Sequence, residues 1–192
     1  LGKAYPELSE RHIDPDMPEP KQWQTLIGSI DWGFSPSATC VLFAYVQDGV
    51  LNVFAEHYAM EETPIETSGV IERYRNRHGG RSAFVADHDP ARIVELTRRG
   101  IPCANADKSN VMGARMQIKE ALHFDRLRIH PRCEYLLRDL DSAAWDNKKD
   151  GEIDYSQCSW GHMDGESSLR YLIRMLNEAE AEKPEENPLA AY

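Results

Sequence analysis

Several signals that would settle a function class are missing from these 192 residues. The four cysteines, Cys40, Cys103, Cys133 and Cys158, include no CxxC pair, so the usual zinc-binding spacing is absent. They are read as reduced thiols of a cytoplasmic protein. No apolar run approaches the ~20 residues that span a bilayer, so no membrane association is expected. No GxxxxGK[ST] loop occurs, so there is no P-loop motor. The opening "LGKAYPELSERHIDPDMPEP" is polar and punctuated by proline, unlike a signal peptide. Positive charge is also scarce. Lys and Arg number 22 against 32 Asp and Glu, a net charge of −10, which argues against a free-standing nucleic-acid module presenting a basic face. There are no internal repeats.

What is present is enough apolar material, 41% of the chain, for one domain with a real core. "LIGSIDW" (26–32), "TCVLFAYV" (39–46) and "VLNVFAEHY" (50–58) read as three strands, and Asp48-Gly49 supplies a hairpin turn between the last two. The three strands form an antiparallel meander. Thr63, Pro64 and Glu66 spell a capped helix start, followed by Val70, Ile71 and Tyr74 at helical spacing. "SAFVAD" (82–87) is a short strand, Asp89-Pro90 opens a second helix, and "IPCAN" (101–105) is a further strand. Ser109 is placed to cap a helix carrying Val111, Ala114, Ile118 and Leu122. "RLRIH" (126–130) is a short extended piece. Cys133, Leu136, Leu137 and Leu140 mark another helix, and residues 143–156 a hairpin with a charged tip. A last helix from Asp164 turns Leu169, Leu172, Ile173 and Leu176 inward. The expected fold class is α/β: a mixed central sheet, three antiparallel strands then parallel ones, with helices on both faces. Residues 1–22 read as a linker, 23–182 as the domain and 183–192 as a disordered tail.

Three acids sit at the edges of elements: Asp31 ends the first strand, Asp87 ends the fourth, and Asp164 begins the final helix. Sites in such sheets form beyond the carboxyl ends of strands, near a switch in strand order. If the first and fourth strands lie side by side and parallel, Asp31 and Asp87 share a rim, and the last helix can bring Asp164 there. Carboxylates converging without basic partners repel and raise one another's pKa unless a cation is present. Mg²⁺ or Mn²⁺ suits such oxygen donors, and two ions ~3.5–4 Å apart can clamp both oxygens of a phosphodiester displacement. Each acid also has a plain structural reading: an Asx-turn for Asp31, a loop or cap for Asp87, a helix N-cap for Asp164. Only the ordered set points to catalysis.

Secondary candidates surround this set. His88, Asp89 and His162 can assist a metal-bound water or simply be surface residues. Lys108, Lys148 and Lys149 can contact a phosphate or merely be solvated. Trp32 and Trp145 read as packing residues. Basic residues cluster at Arg73, Arg75, Arg77 and Arg81, at Arg98 and Arg99, and at Arg126, Arg128 and Arg132.

Three segments carry a resemblance. "GKAYPELSERHIDPDMPEPKQWQTLIGSIDWGFSPSA" is similar to the approach to the nuclease domain of tailed-bacteriophage large terminase subunits. "FVADHDPARIVELTRRGI" resembles that family's second acidic motif, and "GHMDGESSLRYLIRML" its last. The likeness runs from Gly2 to Leu176. It implies an RNase H-like fold and a metal-dependent endonuclease that cuts double-stranded viral DNA concatemers during genome packaging, with little sequence specificity. Two divalent cations, Mg²⁺ or Mn²⁺, are implied, with Asp31, Asp87 and Asp164 as ligands and Asp31 bridging both. Many relatives carry the last acid one helical turn later, where this chain has Ser167. The implied partners are double-stranded DNA, the ATPase domain of the same large subunit, the portal and the small terminase subunit. Residues 1–22 are then the connection to an ATPase domain, and the implied location is the cytoplasm of the infected bacterial host, outside the mature virion. Competing readings are another nuclease of this fold, such as a Holliday-junction resolvase, and a catalytically silent portal-docking module. An actin-like ATPase would need a second glycine-rich phosphate loop that the chain lacks.

Overall fold

A computed structural model describes residues 2–149, 151–158 and 160–181. The expected tail, 183–192, lies outside the described residues. Six strands, β1 (Leu26–Asp31), β2 (Thr39–Gln47), β3 (Val50–Ala59), β4 (Ser82–Ala86), β5 (Cys103–Asn105) and β6 (Leu127–Ile129), form one sheet in the order β5-β4-β1-β2-β3-β6. β1–β2 and β2–β3 pair antiparallel, whereas β1–β4, β4–β5 and β3–β6 pair parallel. Only β2 therefore runs against the rest. The turn between β2 and β3 is the expected Asp48-Gly49, with φ of 52° and 75°, the left-handed pair that a two-residue hairpin needs.

The helices are α1 (Pro64–Arg77), α2 (Pro90–Arg98), α3 (Val111–His123), α4 (Glu134–Ser142) and α5 (Asp164–Ala181). They split between the two faces, and so does the core. Val70, Ile71 and Leu96 pack with Leu26, Ile30, Phe43 and Phe84 on one side. Ile118, Leu122, Leu136, Leu140, Leu169 and Leu172 pack with Ile27, Leu42 and Val53 on the other. Each fully buried side chain of this size contributes about 1.5–3 kcal/mol. Among the described residues no helix is long and apolar enough to cross a membrane.

β1 lies between β4 and β2, and the fit is tight. A Cβ at Gly28 would stand 2.2 Å from the Phe84 ring and 2.5 Å from the Leu42 carbonyl oxygen, so this strand position admits only glycine.

Two expectations change. Residues 2–22, read as a linker, pack against the domain: Ala4, Tyr5, His12 and Met17 are buried, Ala4 N donates to Ala143 O, and Ile13 bridges to Ile129. Apolar residues spaced among prolines bury as isolated anchors and leave no periodicity to read. The α3 cap is Asn110, whose Oδ1 accepts from Gly113 N at 2.7 Å, while Ser109 N donates to Asp107 Oδ1. The segment 143–156 pairs as expected, through Trp145 with Ile153 and Asp154 N with Ala144 O.

Candidate metal-binding site at the sheet rim

Strand parity aims the acids. Ile27 faces the α5 side and Leu26 and Ile30 the opposite side, so Ser29 and Asp31 also face α5. Ser29 Oγ meets Ser168 Oγ of α5 at 2.9 Å, and Tyr171 OH reaches Asp31 Oδ1 at 3.5 Å. In β4 the same alternation puts Ala83 and Asp87 on this face. Ile30 pairs with Ala86 in parallel register, and Asp87 N donates to Ile30 O at 3.0 Å. Asp31 and Asp87 thus stand at matched positions on adjacent strands.

Asp164 arrives as the first residue of α5. The helix is seated by buried polar contacts beside it. Gly165 N donates to Asp139 Oδ2 of α4 at 2.9 Å, answering one of the amides that a helix N-terminus leaves open. Glu166 is fully buried and accepts from Arg115, Arg170 and Tyr5. Burial alone would raise the Glu166 carboxyl, but Arg170 and Arg115 outweigh it and hold it below its usual range. Asp164 is itself buried. Its Oδ1 accepts from Ser37 Oγ at 2.8 Å, and its Oδ2 from Ala38 N at 3.1 Å and Tyr58 OH at 3.2 Å. The β1–β2 loop that supplies two of these donors is shaped by Gly33, where a Cβ would lie 2.3 Å from Ala38 O.

The electrostatics of the rim follow from this packing. The Asp31 pKa rises from 3.8 to about 7, through burial first and then the neighbouring charges of Asp164 and Asp87. Tyr171 is pushed well up by burial and by Asp31 and Asp87. Tyr58 rises to about 12, chiefly by burial. Lys108, beyond β5, sets its Nζ 2.6 Å from Asp87 Oδ1. The rim is therefore an acidic pocket that lacks enough positive charge and offers hard oxygen donors, which fits a divalent cation. Among the described residues no three His, Cys, Asp or Glu side chains already converge as a ligand set. Asp164 is turned toward the β1–β2 loop and Asp87 toward Lys108, leaving Asp31 between them.

The other candidates divide. Asp89 caps α2 through Ala91 N and Arg92 N. His88 is exposed and touches Asn105 Oδ1 at 3.1 Å, and His162 is exposed. Lys148 and Lys149 are exposed on the 143–156 hairpin, with Lys149 paired to Glu152. Trp32 and Trp145 are partly buried against the two cores, and Arg92 lies 5.1 Å over the Trp32 ring. Much of the arginine is committed internally, as in Arg99 with Glu72 and Glu95 and Arg75 with the Arg99 and Gly100 carbonyls. Ser37, Tyr58, Asp139 and Tyr171, which orient the acids, were not singled out from sequence. Asp139 alone carried a signal, a carboxylate in the apolar stripe between Leu136 and Leu140.

No family model and no curated protein matches the chain. Solved structures do. A large terminase from a thermophilic bacteriophage superposes with a TM-score of 0.76 at 20% identity, over 92% of this chain and 45% of that one. The large terminase nuclease of the thermophilic phage G20c with bound magnesium gives 0.70 at 14% identity, covering 91% of this chain and 97% of that one. The large terminase nuclease domain of bacteriophage SPP1 with bound Mn gives 0.63 at 15%, covering 79% and 86%. The chain spans less than half of the first of these proteins and nearly all of the G20c nuclease. Its fold is the RNase H-like fold of phage large terminase nuclease domains.

Proposed function

We propose that this chain is the nuclease domain of a phage large terminase, a metal-dependent endonuclease that cuts double-stranded viral DNA concatemers during packaging. One observation carries the reading. Asp31 and Asp87 stand side by side on adjacent parallel strands, and Asp164 is buried at the same rim with its charge felt at Asp31. The Mg and Mn bound to the G20c and SPP1 nucleases support divalent cations as the cofactor.

Asp31 and Asp87 would hold the metal, two ions in the full reading, with Asp164 as the third ligand. Bound cations of this kind lower the pKa of a water for attack on phosphorus and stabilise the leaving 3′ oxygen. The protein's own part is positioning. Tyr171 orients Asp31, while Ser37, Ala38 and Tyr58 fix Asp164. The exposed Lys148 and Lys149 offer backbone contacts to DNA. The net charge of −10 makes intrinsic DNA affinity weak and salt-sensitive. The ATPase domain, the portal and the small subunit then hold the DNA, in the cytoplasm of the infected host.

Plasmid cleavage with Mg²⁺ or Mn²⁺ tests this, comparing the unmodified chain with Asp31→Ala, Asp87→Ala and Asp164→Ala. Each variant is expected to lose cleavage. Full activity in Asp31→Ala or Asp87→Ala overturns the assignment, and a four-way junction cut faster than linear duplex reassigns the substrate.

A further inference from the structure

We infer that Lys108 is a displaceable internal cation: it neutralises Asp87 until a divalent ion takes that carboxylate, and then turns to a phosphate of the DNA. The inference rests on the nuclease reading of the same site.

The geometry separates a fixed base from a free head. The loop between β5 and α3 is held on both sides of Lys108. Asp107 pairs with Arg174 of α5 and accepts from Ser109 N, and Arg174 Nη1 donates to Asn110 O. The lysine side chain itself is 50% exposed, yet its Nζ sits 2.6 Å from Asp87 Oδ1 and 5.9 Å from the Tyr171 ring centroid. The ring reaches Asp31 with its hydroxyl, so the ammonium stands within the acid group. Its charge is felt at Asp31, where it opposes the rise in pKa.

A divalent ion on Asp87 and an ammonium on the same oxygen repel each other, and the monovalent partner on a flexible stem is the one that moves. A displaced Lys108 has water on its open side and an incoming phosphodiester as the nearest new anion. Lysine suits this exchange because it acts as a point charge without fixed directional demands. The residue therefore opposes metal binding in the free protein and favours DNA in the loaded one. Its removal should move the two properties in opposite directions, which a merely structural ion pair would not do.

The test is Mn²⁺ binding without DNA, read from the electron paramagnetic resonance of free Mn²⁺, beside plasmid cleavage at saturating Mn²⁺. Lys108→Met is expected to bind Mn²⁺ about fivefold more tightly, the value of losing an exposed ion pair. It should cleave about tenfold more slowly, the value of losing one charged hydrogen bond. Lys108→Arg keeps the charge and should stay close to the unmodified chain in binding, and it controls for folding. Unchanged or weaker Mn²⁺ binding in Lys108→Met, or undiminished cleavage at saturating Mn²⁺, overturns the inference. Asp87→Ala separates the two failures. If it cleaves as fast as the unmodified chain, the assignment of the site to Asp87 falls; if it is inactive while Lys108→Met changes neither property, only the role of Lys108 falls.

Discussion

Replacing Asp31 with Asn should make the protein inactive and, without metal, more stable. The folded state raises the Asp31 pKa from 3.8 to about 7, so the native protein binds this proton more tightly than the unfolded chain does. Stability then falls as pH rises between those two values. Below about pH 4 both states are protonated and the burden is absent; above about pH 7 it is complete. The shift corresponds to a ceiling of about 4 kcal/mol. Asp31 lies at the end of its strand and is only partly buried, so relaxation and water access reduce this to ~1–3 kcal/mol. Asparagine keeps the shape and the acceptor for Tyr171 but carries no charge. For a chain of this length that predicts a melting temperature roughly 5 °C higher near pH 8, measured by thermal unfolding in EDTA. The gap should narrow toward pH 4, and millimolar Mg²⁺ should stabilise the unmodified protein while leaving Asp31→Asn unmoved. A lower melting temperature for the variant, or a gap independent of pH, would refute the account of crowded carboxylates.

Three further outcomes follow from the packing. Asp139→Ala strands Gly165 N and frees Arg138, and should lower stability by about 1–3 kcal/mol in urea unfolding. Gly28→Ala forces a Cβ against Phe84 and the Leu42 carbonyl, and is expected to lose at least ~2 kcal/mol in the same assay or to yield insoluble protein. Tyr58→Phe removes one donor from Asp164 Oδ2 and should reduce cleavage severalfold while its unfolding free energy falls by no more than ~1.5 kcal/mol.

Much of the frame could be read from local chemistry. Asp48-Gly49 fixed the hairpin, the Thr63–Glu66 capping box and the Asp89 cap fixed two helix starts, and the strand ends at Asp31 and Asp87 put both acids on one rim once β1 and β4 pair in parallel. What escaped depends on contacts between distant residues. Ser109 and Asn110 are both good caps by residue type; Asn110 takes the role through its Oδ1, while the Ser109 amide donates to Asp107. The donors to Asp164 come from residues 37, 38 and 58, brought together by the β1–β2 loop and by strand pairing, which no local periodicity records. Tyr5 lies 161 positions from its partner Glu166, so its burial left no local trace.

That last contact has a mechanical side. Tyr5 grips the second residue after Asp164, and Ala4 is pinned to Ala143 by its backbone. Tension applied along the chain ahead of Ala4 is taken first by the pairing of residues 2–4 with Ala143–Trp145, and next by Tyr5 at the front end of α5. A tug of that kind loosens the clasp on a buried anion, and the helix it would shift is the one that presents Asp164.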